Sequence, residues 1–426
     1  MTSTLQQSSI EAMCFRAKQA SRILANVTPQ QKNDALERIA DQLWLERKEI
    51  LAANDLDGTT ASTAGLSNAL LDRLLLDEKR LTAIIGDVRN VAQLPDPVGE
   101  MFDTQAMPNG LLMYKQRVPL GVLGVIYEAR PNVTVDAAGL ALKSGNCAIL
   151  RGGSETVHSN RALVTAIQHG LSGTAIPEQA IQLIADTDRS LVLELLHMDN
   201  YVNLIIPRGG AGLHEFCRQN SRIPVITGGI GICHLFVDES ADLDRAIEVI
   251  RNAKIQRPSV CNALDTCLIH HTIAQHFLVS LVKRLSADGV SFKADEKAWE
   301  VLKDSNYPYV QRAGEQDFDT EWLSLVLGLK VVNDLEEAIE HIGVHSTAHS
   351  DGILTENKEN AAQFLKLVDS AVVYVNASTR FTDGSQMGLG AEMAISTQRL
   401  HARGPMGLKE LTTYKWIVEG DYSIRP

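Results

Sequence analysis

Three stretches near the amino terminus, Ile10 to Leu24, Pro29 to Asn54 and Asp77 to Leu94, place apolar residues at the three- and four-residue spacing of amphipathic helices. Thr28-Pro29 supplies a capping hydroxyl followed by proline at the first helical position. The texture then changes. Pro95-Asp96-Pro97 and Val98-Gly99 stop the helical pattern, and Met101 to Val118, centred on Pro108-Asn109-Gly110, predicts two short strands around a turn. Such a hairpin has little core of its own, so it is expected to pack against something else, another subunit included.

From Gly121 onward short apolar runs alternate with helical periods. Strands are predicted at Val122 to Tyr127, Ala148 to Arg151, Ile181 to Ile184, Val202 to Ile206 and Pro224 to Ile226. The helices between them are Val133 to Lys143, Glu155 to His169, Arg189 to Leu196 and Gly210 to Arg218. A second series follows: helix Leu243 to Lys254, strand Ala263 to His270, helix Ile273 to Ser286, strand Leu329 to Val332 and helix Leu335 to Ile342. It closes with strand Gly352 to Leu354, helix Lys358 to Val368 and strand Ala371 to Val375. Buried strands joined by crossover helices imply mostly parallel sheets covered on both faces, hence an α/β fold with two doubly wound lobes. A length of 426 residues suits two lobes better than one core.

Composition narrows the function classes. Forty Lys and Arg against 52 Asp and Glu give a net charge of −12, which disfavours a nucleic-acid partner but not a small anionic ligand. The longest apolar stretch, Val118 to Tyr127, is interrupted by Pro119, Gly121 and Gly124 and is too short to cross a membrane. Six scattered cysteines form no Cys-x-x-Cys pair, and the polar amino terminus is unlike a secretory signal. A reduced, cytoplasmic protein is expected.

Candidate chemistry collects at four turns. Gln256-Arg257-Pro258-Ser259-Val260-Cys261-Asn262 sets a cysteine in a polar turn between helix and strand, where a thiol is either an ionisable nucleophile or a buried structural residue. Arg151-Gly152-Gly153-Ser154, Arg208-Gly209-Gly210-Ala211-Gly212 and Thr227-Gly228-Gly229-Ile230-Gly231 each follow a predicted strand. Bare glycines let backbone N–H groups approach an anion, though tight turns need glycine for steric reasons too. On successive strand ends they point to a dinucleotide lobe, and no phosphate-wrapping G-x-x-x-x-G-K-[ST] loop is present.

Several segments carry a resemblance. Gly124 to Thr134, Lys143 to Arg151, Ile206 to Gly212, Gln256 to Asn262, Val375 to Ala394 and His401 to Gly407 together, in this order, resemble the aldehyde dehydrogenase family along essentially the whole chain. The resemblance implies that fold, with a β-hairpin oligomerisation element beside the two lobes. It divides the chain into a dinucleotide-binding domain (1–98 and 119–231), a catalytic domain (232–411) and oligomerisation strands (99–118 and 412–426). Cys261 is the implied nucleophile, forming a thioester by attack on an acyl phosphate. Asn132, by its side-chain amide, and the Cys261 backbone N–H are the implied oxyanion donors. Without the family, Asn132 reads as a polar turn residue after proline.

Two departures from the oxidising members matter. Those enzymes place a water-activating glutamate two residues before a Gly-Gly pair, where this chain has Ile226, so reduction rather than hydrolysis of the thioester is implied. NAD-preferring members place a glutamate against the adenosine ribose where this chain has Ser154. With Arg151 three residues earlier, NADPH is expected over NADH, although Glu155 is adjacent. The remaining cofactor-binding candidates are Gly152, Gly153, Arg208, Gly209, Gly210, Gly228, Gly229 and Glu321, the last reading equally as a surface glutamate. For a glutamate-like acyl phosphate, the candidate substrate residues are Arg130, Ser378, Arg380 and Arg403. Each arginine alone reads equally as a salt-bridge partner. An upstream kinase making the acyl phosphate and a second copy of the chain are the expected partners. A CoA thioester as acyl donor, or a nucleotide-binding interaction protein without catalysis, are the alternatives. His341, His345 and His349 recur at four-residue spacing, but Gly343 and Ser346-Thr347 argue against a continuous helix there, and no metal site is expected.

Overall fold

The computed structural model describes residues 9–66, 68–228, 230–304 and 307–425. The chain divides into two compact units: unit 1 comprises 1–227, 388–394 and 406–426, and unit 2 comprises 228–387 and 395–405.

Unit 1 opens with helices α1 (Ser9–Leu24), α2 (Pro29–Leu45), α3 (Arg47–Thr63), α4 (Asn68–Leu74) and α5 (Glu78–Gln93). Thr28 and Gln31 form a reciprocal capping box ahead of α2. The single helix expected over 29–54 is two, because Glu46 leaves helical geometry (φ −91°, ψ 15°) and its N–H turns back to the Gln42 and Trp44 carbonyls. Periodicity continues across such a break, so the pattern could not show it. The hairpin strands β1 (Met101–Ala106) and β2 (Leu112–Pro119) pair antiparallel. Then come β3 (Val122–Tyr127), α6 (Pro131–Lys143), β4 (Cys147–Arg151), α7 (Val157–Leu171), β5 (Ile181–Leu183), α8 (Ser190–Leu196), β6 (Leu204–Arg208) and α9 (Ala211–Asn220). The parallel sheet order is β5-β4-β3-β6. The order reverses at β3, so the loops after β3, β4 and β6 flank the crevice where open α/β sheets bind ligands. The strand expected at 224–226 is reduced to one isolated bridge, Ile205 to Val225.

Unit 2 comprises β7 (Cys233–Val237), α10 (Leu243–Ile255), β8 (Leu264–His270), α11 (His271–Ser286), β9 (Ser291–Ala294), α12 (Glu296–Leu302) and β10 (Val310–Arg312). It continues with β11 (Val326–Val332), α13 (Leu335–His345), β12 (Ser350–Leu354), α14 (Lys358–Leu367), β13 (Val372–Val375), β14 (Ile395–Ser396) and β15 (Gly404–Pro405). Its seven-stranded parallel sheet runs β10-β9-β11-β8-β7-β12-β13. Alternation along the strands fills both faces: Leu235, Val237, Cys267 and Ile269 join one apolar cluster, while Phe236 and Leu268 join the other. β9, α12 and β10 were not expected, being short and weakly periodic.

The last strand, β16 (Thr412–Glu419), returns to unit 1 and pairs antiparallel with β2, giving the three-stranded sheet β1-β2-β16. Residues 388–394 and 406–411, expected with the second lobe, also group with unit 1. The Met393 N–H donates to the Met406 carbonyl, and Asn146 Nδ2 donates to the Leu411 carbonyl at 2.8 Å. Among the described residues no helix is long and apolar enough to cross a membrane.

Candidate active site

Cys261 stands on the turn between the end of α10 and the start of β8, closed by the Ala263 N–H donating to the Val260 carbonyl at 3.0 Å. It differs from every other cysteine of the chain. Cys14, Cys147, Cys217, Cys233 and Cys267 are buried, whereas Cys261 is half-exposed. Burial pushes the Cys14 and Cys147 thiols up to about 12 and Cys217 up to about 11, and raises Cys233 and Cys267 further. A buried thiol held in its neutral form is a poor nucleophile, which makes Cys261 the candidate among the six.

The turn is fixed from behind by segments entering neighbouring strands. Cys233 Sγ donates to the Cys261 carbonyl at 3.2 Å. A Cβ on Gly231 would lie 1.5 Å from that same oxygen, so glycine is required by close approach of two backbones. Glu321 Oε1 accepts from the Gly231 N–H at 2.9 Å, and burial with nearby Asp265 raises the Glu321 carboxyl above the usual range. Glu321 is thus half-buried and structural at one oxygen, not a surface glutamate. Asp265 in turn accepts from the Trp322 N–H, and burial pushes it up to about 6.

The loop after β13 is bound directly to the cysteine turn. Asn262 Nδ2 donates to the Thr382 carbonyl at 2.8 Å, and Thr379 Oγ1 donates to the Asn262 carbonyl at 2.7 Å. Arg380 Nε donates to Gln256 Oε1 at 2.7 Å, so this guanidinium is held against the segment that carries Cys261. Burial, then Arg257, lowers the Arg380 pKa. Ser378 is buried and caps the short helical turn Thr379–Phe381. The Arg403 guanidinium forks onto Asp369, with NH1 to Oδ1 at 2.6 Å. Gln256 was missed in the sequence because a helix-capping glutamine carries no chemical signature there.

In unit 1 glycine turns follow β4 and β6. A Cβ on Gly152 would meet Asn160 Nδ2 at 2.1 Å, and one on Gly153 the Glu155 carboxylate at 2.2 Å. These glycines line a small surface hollow that also includes Ile184, Asp186 and Thr187. Ser154 is exposed at its edge. Arg151 is buried, and its two terminal nitrogens donate to the Gly152 and Thr187 carbonyls at 2.7 and 3.0 Å, while Nε has no partner. After β6, Glu128 Oε2 accepts from the Gly210 N–H at 3.0 Å and crowds Gly209, with half-exposed Arg208 preceding them. Gly228 belongs to unit 2, where a Cβ would strike the Ile395 carbonyl at 1.9 Å. With no strand before it, the turn at 227–231 does not repeat the other two, and Gly229 lies outside the described residues. Ile226 is 2% exposed in the unit 1 core, so no base stands at that position.

The loop after β3 leads into α6, where Arg130 is half-buried and Asn132 occupies the first turn. Asn132 Nδ2 donates to Asp136 Oδ2 at 3.1 Å. Among the histidines, α13 does continue through Gly343 to His345, so His341 and His345 lie on one helix after all, stacked at 4.2 Å. Glycine within a helix costs only about 1 kcal/mol and is overridden by packing.

The aldehyde dehydrogenase family profile matches residues 2–298 of the sequence. The chain belongs to the aldehyde dehydrogenase family. It is an oxidoreductase of that family's aldehyde-level chemistry, and it stands with one named group within it. A gamma-glutamyl phosphate reductase of Psychromonas ingrahamii is 57% identical over 410 residues, 96% of this chain and 98% of the relative. One from Vibrio cholerae is 56% identical, covering 96% and 98%. The crystal structure of gamma-glutamyl phosphate reductase from Thermotoga maritima superposes with a TM-score of 0.96 at 49% identity, covering 98% of this chain and all of that one.

Proposed function

We propose that the protein reduces L-glutamyl 5-phosphate to L-glutamate 5-semialdehyde and phosphate with NADPH, the second step of proline biosynthesis from glutamate. The reading rests above all on the near-full-length identity to gamma-glutamyl phosphate reductases, joined to a single half-exposed cysteine among six. In this reading the Cys261 thiolate attacks the acyl carbon, the bond from that carbon to the phosphate oxygen breaks, and inorganic phosphate leaves. The resulting thioester accepts hydride at its carbonyl carbon, and collapse of the thiohemiacetal oxyanion breaks the C–S bond, releasing aldehyde and thiolate. Asn132 Nδ2 and the Cys261 backbone N–H are the donors to the oxyanion of both steps, Arg380 is the leading carboxylate or phosphate ligand, with Ser378 shaping its loop, and Arg130 a second candidate. Arg403, engaged by Asp369, is the weakest of the substrate candidates. Ile226, buried and apolar, cannot serve as the water-activating base that the oxidising members place at that position.

NADPH supplies the hydride when bound. Gly152, Gly153, Ser154, Arg208, Gly209 and Gly210 would hold it, and Gly228 and Glu321 are the remaining candidates. The hollow beside Gly152 and Gly153 and the unpartnered buried Nε of Arg151 support this assignment. Arg151 acts there by shaping the loop through the Gly152 and Thr187 carbonyls, a narrower role than an open guanidinium. Unit 1 is accordingly the dinucleotide-binding part and unit 2 the nucleophile-bearing part. The outer residues Tyr414, Trp416 and Val418 of β16 are each about half-exposed, which supports a homo-oligomer formed through the β1-β2-β16 sheet. A glutamate 5-kinase is the proposed source of the acyl phosphate, and the cytoplasm the proposed location.

The test is the reverse assay. Pyrroline-5-carboxylate, phosphate and NADP+ should yield NADPH, and a rate independent of phosphate would overturn the assignment. CoA in place of phosphate discriminates an acyl-CoA enzyme, which the same fold serves.

A further inference from the structure

A primary amide has two ends alike in shape and opposite in hydrogen-bonding sense, so an asparagine that must donate to a developing oxyanion needs something to decide which end is which. In this chain that neighbour is on the same helix. Asn132 and Asp136 stand four residues apart on α6 and therefore share a face. Asn132 Nδ2 donates to Asp136 Oδ2 at 3.1 Å. An ionised carboxylate only accepts, so it takes one Nδ2 hydrogen and leaves the second as a donor. The charged groups around it are Asp87 on α5, which disfavours the carboxylate, and Arg208 at the end of β6, which favours it. Asp136 costs stability where it stands, since burial pushes its carboxyl up to about 6.

We propose that Asp136 is the positioning residue of Asn132, its carboxylate fixing the amide so that an N–H and never the amide oxygen is offered to the reacting acyl oxygen. This rests on the reading of Asn132 as oxyanion donor. A protonated Asp136, or an asparagine in its place, can donate as well as accept, so the Asn132 amide is then free to turn over. Asp136 touches neither substrate nor cofactor in this account and acts only through Asn132.

The experiment uses the full-length enzyme in the reverse assay with Asn132→Ala, Asp136→Asn and the double variant. Asp136→Asn is expected to lower kcat about 10- to 100-fold, with KM for pyrroline-5-carboxylate and NADP+ within twofold. The double variant should be no slower than Asn132→Ala alone, because Asp136 has nothing left to orient. The wild-type acid limb of kcat near pH 6 should vanish in Asp136→Asn. The folded carboxyl titrates higher than an unfolded one, so its cost grows as pH rises from about 4 to 6 and is complete above. Asp136→Asn should therefore melt higher than wild type above pH 6 while turning over more slowly, a combination a purely structural role would not give. If Asn132→Ala retains full kcat, the oxyanion reading itself fails. If Asn132→Ala is slow but Asp136→Asn keeps kcat within twofold, or the two losses multiply, the positioning role is overturned. Should Asp136→Asn not fold, Asp136→Ser and Asp136→Glu carry the same comparison, and recovery of kcat by Glu over Ser is required.

Discussion

Gly231→Ala is the most severe small perturbation that the structure defines around Cys261, the proposed nucleophile. The added methyl would sit 1.5 Å from the Cys261 carbonyl oxygen, 2.5 Å from its carbon and 3.0 Å from Cα. An ordinary carbon–oxygen contact needs about 3.3 Å, so the Cys261 backbone must withdraw by nearly 2 Å, and no flexible side chain is available to yield instead. The Cys233 thiol donates to that same oxygen, and the Gly231 N–H is held by Glu321, so the strain is trapped on both sides. Misplacement of a reacting group by 1 Å costs about 10²-fold in rate, and overpacking of this kind costs about 1–3 kcal/mol in stability. Gly231→Ala should therefore lose at least about 10²-fold in phosphate-dependent NADPH formation while remaining folded by circular dichroism. Iodoacetamide labelling of Cys261 followed by mass spectrometry separates a displaced thiol from an unfolded protein. A variant within threefold of wild-type activity would refute the argument that this backbone approach fixes the nucleophile.

Three further outcomes are expected. Gln256→Ala frees Arg380 from its 2.7 Å tether and should raise KM for the glutamyl substrate about tenfold, the effect of about 1.4 kcal/mol, with NADP+ binding unaltered in a fluorescence titration; equal loss for both ligands would contradict it. His341 is held neutral down to about 2 by burial and by His234, His345 and Lys330, so the unfolded chain takes up a proton below pH 6.5 that the folded one refuses. His341→Leu should gain on wild type by about 1.4 kcal/mol per pH unit as pH falls below 6, measured by urea denaturation, and a constant difference would count against it. Thr382→Val removes the partner of both Ser350 and Tyr374, and should cost about 1–3 kcal/mol and slow turnover without moving the pH dependence of Cys261 alkylation.

The parallel sheets were legible because each buried strand is a short apolar run between helical periods, and Val122 to Tyr127 and Leu335 onward read that way at sight. The breaks were not legible. Glu46 interrupts a helix without any Gly or Pro, and Val225 keeps a strand-like sequence while making a single bridge, because both outcomes are decided by tertiary packing. The strands β9 and β10 are too short to show a period. At the candidate site, the turn around Cys261 marked it as a candidate, while what separates it from Cys233 is burial, which no spacing reveals. Asp136 could have been found from its four-residue offset on the Asn132 helix. The engagement of Arg403 by Asp369, and of Arg151 by two carbonyls, could not, since those partners are remote in sequence or lie on the backbone.

The chain of groups that runs from Cys233 to Tyr374 beside the Cys261 turn shares one electrical property. Cys233 reaches the Cys261 carbonyl and lies 4.0 Å from His349 Nδ1; His349 bonds Ser350 at 2.8 Å; Ser350 bonds Thr382 at 2.6 Å, and Thr382 bonds Tyr374 at 2.7 Å. Asn262 closes the ring on the Thr382 carbonyl. Burial holds His349 down to about 4, pushes Tyr374 up to about 12 and raises Cys233, so every member is neutral across the working pH range. In the proposed reaction, a charged group among them would change its interaction with Cys261 each time the sulfur passed between thiolate, thioester and thiohemiacetal. It would also favour one of those states over the others in a low-dielectric surrounding. On this side the turn is held by neutral, mutually bonded groups, and the carboxyls, Glu321 and Asp265, stand on the Gly231 side. In the same proposal the charge that discriminates substrate is left to Arg380, tethered by Gln256 on the segment that carries Cys261.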